Sequence, residues 1–298
     1  MDQPDVENPQ ATRIEVAESW IDGAARRLIR RSTRAPAIPP FARMLIFHGY
    51  GDHSGRFKHF KKWLAERGVA ADSFDFRGHG RSGGKRGFVK RWEEYLDDVR
   101  MVLETCGPMW NEEGIGKLPL FVLGHSHGGL VLAAAGIHRV LQSPQIAGCI
   151  MTAPFLVPAF PLSWPMRVFA AVSNVVAPAL RVKTGLTPEH MTADPAMIAD
   201  SRADTLLLRA ATPRWYKTAI RAQVEVLNRA PEFRLPLYCL IGSEDRIASA
   251  EGARRFVEKC GSADKTFQVI PGARHEVLRE TTREKTFDQV LEWMKARK

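Results

Sequence analysis

Residues Leu118–Leu130, LPLFVLGHSHGGL, constrain the chain more than any other stretch. The apolar run Leu118–Leu123 reads as a buried strand bounded by a glycine. Gly124-His125-Ser126-His127-Gly128 then fits G-x-S-x-G, and Leu130–Ala135 continues as an apolar helix. Strand, sharp turn and helix in this order raise the motif above a chance match. A serine hydroxyl is a weak nucleophile and must protrude to where a base can reach it. Small residues two places to either side leave room for a strained backbone. The helix behind Ser126 aims its amide hydrogens and positive dipole end at any oxyanion that forms there. The alternative is a glycine-rich turn with an idle serine, and the flanking elements weigh against it.

The rest of the chain repeats this alternation. Residues 1–16 read as a loose lead-in. Glu18–Ile21 and Arg26–Arg31 read as a hairpin joined through a D-G turn at Asp22-Gly23. Met44–Phe47, Val69–Phe76, Ile146–Thr152, Leu237–Ile241 and Phe267–Ile270 read as further strands. Arg56–Arg67, Trp92–Trp110, Ala250–Cys260 and Thr282–Lys295 carry helical apolar stripes; in Arg56–Arg67, Phe60, Trp63 and Leu64 share one face and lysines the other. This order predicts an α/β fold with a mostly parallel sheet covered on both faces and working loops at the carboxyl ends of its strands. His48-Gly49, Asp75, Ser126, Ala153-Pro154 and Asp245 all fall just past strand ends.

The rhythm breaks after Pro154. Residues 155–180 are very apolar and studded with prolines, and residues 181–231 are polar and helix-like. The expected organisation is a core made of residues 1–154 and 232–298, interrupted by an inserted helical cap over 155–231. The apolar first part of that cap has two readings: packing against the sheet, or an exposed face for a greasy substrate or a membrane.

At 298 residues, 45% hydrophobic and 26% charged, the chain has ample material for a core. Its formal net charge of +10 raises nucleic acid and anionic membrane as partners. No Lys/Arg run is interleaved with aromatics as in a nucleic-acid module, so nucleic acid is not expected. A peripheral membrane contact through the cap and the basic surface stays open. The opening MDQPDVENPQ lacks a secretory-signal pattern, and no run of about 18 apolar residues predicts a spanning helix. Cys106, Cys149, Cys239 and Cys260 form no C-x-x-C pair and read as reduced thiols of a cytoplasmic protein.

A serine nucleophile needs a base, and the base an orienting acid; the strand–turn–helix motif predicts the order Ser, Asp, His. His275 lies in the loop after the last strand, and Asp245 just past the strand before it. Glu244 is the rival acid; Asp245 lies one residue further beyond the strand. His125 and His127 flank the serine, but the turn directs their side chains away from its hydroxyl. His48 and His79 sit in tight glycine loops and read as backbone braces. The oxyanion hole is expected from the main-chain N–H groups of His127 and Tyr50.

Taken together, HGYGDHSGRF at 48–57, DFRGHGRSGG at 75–84, GHSHGG at 124–129, GSEDRI at 242–247 and PGARHE at 271–276 resemble the monoacylglycerol lipase and lysophospholipase group of α/β-hydrolases, also grouped with serine aminopeptidase-like hydrolases. The resemblance runs from Glu18 to the C-terminus and is weak in the cap. It implies an α/β-hydrolase fold, Ser126 as nucleophile, Asp245 as acid, His275 as base, and amides of Tyr50 and His127 in the oxyanion hole. It implies no cofactor and no metal. The substrate it implies is a small acyl ester or monoacyl lipid. A short-chain carboxylesterase, an amidase or peptidase, and a non-catalytic ligand-sensing scaffold remain alternatives on the same fold. One departure bears on local polarity and pH dependence: the group usually carries Met after the serine, and here His127 follows it.

Overall fold

The computed structural model describes residues 13–23 and 26–298, without the side chain of Arg26. Strands β1 (Glu15–Gly23) and β2 (Arg26–Arg34) form an antiparallel hairpin. β1 starts inside the expected lead-in because Glu15 and Val16 pair with Arg34 and Thr33. Asp22 and Gly23 are paired residues opposite Arg27 and Arg26, not the turn itself; the joining residues, like residues 1–12, lie outside the described ones.

The chain continues through β3 (Ala42–Phe47), α1 (Lys58–Ala65), β4 (Val69–Phe74), α2 (Glu93–Glu112), β5 (Leu120–His125), α3 (His127–Ile137) and β6 (Ile146–Thr152). A long connection follows, holding α4 (Trp164–Val176), β7 (Val182–Lys183), α5 (Pro188–Met191), α6 (Pro195–Ala203), β8 (Ala210–Ala211) and α7 (Pro213–Asn228). Then come β9 (Leu237–Gly242), α8 (Ala250–Lys259), β10 (Lys265–Ile270) and α9 (Arg283–Lys295). Among the described residues, eight strands form one sheet in the order β1-β2-β4-β3-β5-β6-β9-β10. Pairing is parallel from β4 to β10 and antiparallel where β2 meets β4. This is the α/β-hydrolase arrangement.

The central strands alternate their side chains between two cores, as a period of two requires. Leu45, Phe47, Val122 and Cys149 join the core under α2, α3, α7 and α8. Met44, Ile46, Leu123 and Ile150 join the core under α1 and α9. Both faces being covered explains why these strands read as continuous apolar runs. In α1, Phe60 and Leu64 face inward as expected, and Lys58 and Lys62 face solvent. Lys61 departs from that pattern. It is buried, and its ammonium donates to Ser73 Oγ at 2.8 Å and to the Arg31 carbonyl at 3.2 Å. Burial lowers its pKa to about 8.

The connection between β6 and β9 is built differently. β7 and β8 form a two-stranded ribbon of their own, too short to leave a sequence pattern. α7 buries Trp215, Ala219, Ala222 and Val226 along one stripe and so joins the core above α3. α4 packs on α7 with its polar residues inward: Ser173 and Asn174 are its buried side chains, and Asn174 Oδ1 accepts from Arg214 Nε at 2.7 Å. All four cysteines are buried free thiols.

Candidate active site

Ser126 links β5 to α3 with φ 52° and ψ −115°, a left-handed conformation that costs a non-glycine residue of order 1–3 kcal/mol. The glycines of the motif make it feasible by close approach. A Cβ at Gly124 would lie 2.5 Å from the Gly128 carbonyl oxygen, and one at Gly128 would lie 2.3 Å from that of Phe47. The Ser126 N–H is held by the Thr152 carbonyl at 3.0 Å, and its own carbonyl accepts from Gly129, Leu130 and Phe155. The serine is thereby presented at the carboxyl edge of the sheet.

Three residues distant in sequence meet there. His275 Nε2 lies 2.9 Å from Ser126 Oγ, and His275 Nδ1 lies 2.8 Å from Asp245 Oδ2. Asp245 Oδ1 accepts from the N–H groups of Ile247 and Ala248 at 2.8 and 3.0 Å. Burial pushes the Asp245 carboxyl up. The neighbouring His275 and these hydrogen bonds more than offset it, so its pKa lies below the usual carboxylate range. An ionised Asp245 fixes the proton of His275 on Nδ1 and leaves Nε2 free to accept. Glu244, the rival acid, is exposed.

The flanking histidines go elsewhere. His125 Nδ1 faces the Thr152 carbonyl at 3.1 Å, and burial lowers its pKa to about 4. His127 points away from Ser126 Oγ into a ring of aromatic residues: Tyr95 at 4.6 Å between centroids, Trp92 at 5.2, Phe76 at 5.7, Trp215 at 5.9 and Tyr50 at 6.0. Among the described residues neither nitrogen of its ring has a hydrogen-bond partner, and burial holds its pKa well below the usual value. His48 and His79 bond main-chain groups, Phe76 N–H and Gly49 C=O in one case and Arg77 C=O in the other. Among the described residues the main-chain N–H groups of Tyr50 and His127 have no hydrogen-bond partner either. Both residues line the same cavity as Ser126 and His275.

That cavity has a volume of about 440 Å³. Phe155, Phe160, Met166, Phe169, Leu208 and Trp215 give it apolar walls, drawn mostly from the connection between β6 and β9. Its polar end is a buried charge cluster that the sequence analysis assigned no role. Arg56 Nη2 donates to both oxygens of Glu276 at 2.7 and 2.9 Å, its Nε lies 2.9 Å from Asp52 Oδ1, and its Nη1 donates to Ser201 Oγ at 2.9 Å. Burial raises the Glu276 pKa, but Arg56 and Arg279 prevail and bring it to about 2. Burial prevails at Asp52, whose pKa is raised. Both Arg56 and Glu276 stand inside motifs quoted above, HSGRF and RHE; their 220-residue separation hides the pairing.

Comparisons with known proteins bear on the family and the fold. Residues 38–282 match the family model described as serine aminopeptidase, S33. A monoacylglycerol lipase of Mycolicibacterium smegmatis is 29% identical over 267 residues, spanning 87% of this chain and 90% of that protein. An uncharacterized abhydrolase domain-containing protein of Dictyostelium discoideum is 28% identical over 266 residues, 89% of this chain but 27% of that longer protein. A soluble variant of monoglyceride lipase from Saccharomyces cerevisiae, solved in complex with a substrate analog, shares the fold. Its TM-score is 0.83 at 22% identity, covering 96% of this chain and 97% of the other.

Proposed function

The chain belongs to the serine aminopeptidase S33 family, and on that premise we propose that it is a serine hydrolase cleaving carboxylic esters of monoacyl lipids. The observation that carries the proposal is the hydrogen-bonded chain Asp245–His275–Ser126 at the foot of an apolar cavity. Ser126 Oγ attacks the ester carbonyl carbon while its proton passes to His275 Nε2. Asp245 stabilises the imidazolium from the Nδ1 side. The carbonyl oxygen becomes an oxyanion, for which the Tyr50 and His127 N–H groups are the donors; losing one such donor typically lowers kcat by about 10²–10³. Collapse expels the alcohol, which takes the proton from Nε2 and leaves acyl-Ser126. Water then gives a proton to Nε2 and attacks the acyl carbon; collapse releases the fatty acid while Ser126 Oγ takes the proton back from Nε2.

Several features favour a monoacyl lipid. The cavity falls within the usual range for a small-molecule site, about 300–1,000 Å³, and its walls suit an alkyl chain better than a peptide. An aminopeptidase needs a carboxylate free to bind the substrate's α-ammonium. Here Asp52 and Glu276 are both engaged with Arg56. The likeness to a monoacylglycerol lipase points the same way. Residues 155–231 act in this reading as a cap over the serine. The exposed apolar face of α4, near the basic Arg167, Arg181 and Lys183, would rest on a lipid surface; among the described residues no helix is long and apolar enough to cross a membrane.

A chain-length series tests the proposal: monoacylglycerols, lysophospholipids, nitrophenyl esters from acetate upward and aminoacyl amides. Turnover should rise beyond butyrate and be lowest on the amides. A maximum at acetate or butyrate would refute the lipid assignment. A fluorophosphonate probe should label the protein and fail to label Ser126→Ala; labelling of that variant would refute the mechanism.

A further inference from the structure

His48 lies outside the Ser126–His275–Asp245 chain, yet both of its ring nitrogens are engaged, and the two bonds together determine its protonation. Phe76 is an ordinary residue with a main-chain N–H, and that N–H donates to His48 Nε2 at 2.9 Å. A nitrogen that accepts carries no proton, so in the neutral ring the proton is on Nδ1. Nδ1 lies 2.7 Å from the Gly49 carbonyl oxygen and therefore donates to it. The ring is fully buried, and burial lowers its pKa to about 4, which keeps it neutral.

The Gly49 carbonyl belongs to the Gly49–Tyr50 peptide. That peptide is trans, so its C=O and its N–H point in opposite directions. Holding the carbonyl on one side aims the Tyr50 N–H to the other. The carbonyl is held twice, by His48 Nδ1 and by the Asp52 N–H at 3.2 Å. The peptide lies against the serine: a Cβ built on Gly49 would come 3.4 Å from Ser126 Cβ. Phe76 packs edge-on to the His48 ring at 5.0 Å between centroids and so supports the imidazole from one side.

We infer that His48, locked as its Nδ1–H tautomer by the Phe76 amide, is the positioning residue that turns the Gly49–Tyr50 peptide so that the Tyr50 N–H faces the oxyanion. It touches no substrate atom and acts through the peptide. The inference rests on the oxyanion-hole reading proposed above, and it adds a cause for the orientation of one donor.

Two variants separate positioning from simple bracing. Asparagine places an amide nitrogen where Nδ1 stands, so His48→Asn keeps the bond to Gly49 and loses the one to Phe76. Glutamine places an amide oxygen where Nε2 stands, so His48→Gln keeps Phe76 and loses Gly49. With a nitrophenyl ester, His48→Gln should lose about 100-fold in kcat at unchanged KM, the scale of one oxyanion donor, and His48→Asn should recover most of it. Equal losses in the two variants, or a change confined to KM, would overturn the inference. The unmutated protein supplies a second readout, for which only one of the two variants has to fold. ¹⁵N NMR of histidine-labelled protein should show the His48 ring protonated at Nδ1, the signal being identified by its absence from either variant. Protonation at Nε2 overturns the inference. An unmutated protein without esterase activity would count against the hydrolase proposal itself, whereas a wrong tautomer would count only against this role of His48.

Discussion

Helices α3 and α4 are both strongly apolar, and they have opposite fates. α3 buries Leu130, Val131, Leu132, Ala133, Ala134 and Ala135, none more than 2% exposed. α4 buries Ser173 and Asn174 and leaves Trp164, Val175 and Val176 exposed at 74, 75 and 74%. Apolar composition therefore says that a helix avoids water without saying what covers it. α3 is fixed twice over at its N-terminal end: Ser126 starts it in a strained turn, and close glycine contacts clamp its first turn to β3 and β5. α4 is tied by a polar seam, Arg214 to Asn174, which leaves its apolar side to face outward and, through Met166 and Phe169, the cavity. An edge held by many close backbone contacts carries the proposed chemistry, and a helix held through its polar side carries the proposed contact with greasy material.

The largest test strikes the rigid edge alone. Asp245→Asn keeps the shape of the acid but frees His275 to adopt the other tautomer. Turnover of a soluble ester should fall by about 10⁴-fold while thermal unfolding stays close to that of the parent. A loss under tenfold would mean that Asp245 does not orient the imidazole.

Next in size is Glu276→Gln. Removing one charge from the buried Arg56–Glu276–Arg279 cluster should cost about 3 kcal/mol near neutral pH, read by urea unfolding. The folded pKa of about 2 lies below the ordinary 4.5, so the unfolded chain binds the proton first. This part of the stability is present above pH 4.5 and is lost as pH falls toward 2. The variant should lack that acid-dependent loss. Parallel stability curves for the two proteins would contradict the cluster's ionisation.

The difference between the two helices also marks how far the sequence can be read. β5, the G-x-S-x-G turn and α3 are legible because their determinants are local: an apolar run, two glycines in contact with backbone, and a helix start. Asp245 and His275 are legible as residues just past strand ends. The partners of His127 are not, because Tyr50, Phe76, Trp92, Tyr95 and Trp215 come from four separate stretches of chain and converge only in the fold. The burial of Lys61 is hidden for the same reason: its partners Arg31 and Ser73 lie on two strands, and a helical lysine normally reads as solvated. The orientation of α4 is hidden because apolar residues on the outside break the rule that makes helical periodicity informative.

His127→Met probes the rigid region more gently. The neutral buried ring binds its proton far less readily than the unfolded chain does, whose histidines titrate near 6.5. Stability attributable to this burial is intact above 6.5 and declines as pH falls below it, by about 1.4 kcal/mol per pH unit for one group. His48, His79 and His125, also held low by burial, add to the same slope. The variant should therefore lose stability less steeply between pH 6.5 and 4.5, by one proton's worth. It also removes two ring nitrogens that lack partners among the described residues, so stability at pH 7 should not fall. An unchanged slope would mean that the ring is protonated in the folded state.

The smallest effect on the fold is expected where α4 faces outward. Replacing Trp164, Val175 and Val176 by serine removes side chains that pack on little of the protein, so each change should alter unfolding by no more than about 0.5 kcal/mol. Turnover of a soluble nitrophenyl ester should likewise hold, since none of the three lines the cavity. A vesicle supplies what the protein leaves uncovered: each large apolar side chain transferred out of water is worth about 1.5–3 kcal/mol when fully buried. Even partial insertion should make the triple variant at least tenfold weaker in vesicle flotation and slower on vesicle-borne substrate, a loss seen with anionic and neutral lipid alike if the apolar face dominates. Loss confined to anionic vesicles would assign the contact to Arg167, Arg181 and Lys183 instead. A fall of several degrees in Tm without lipid would show that the face is covered in solution and is not free to meet a membrane.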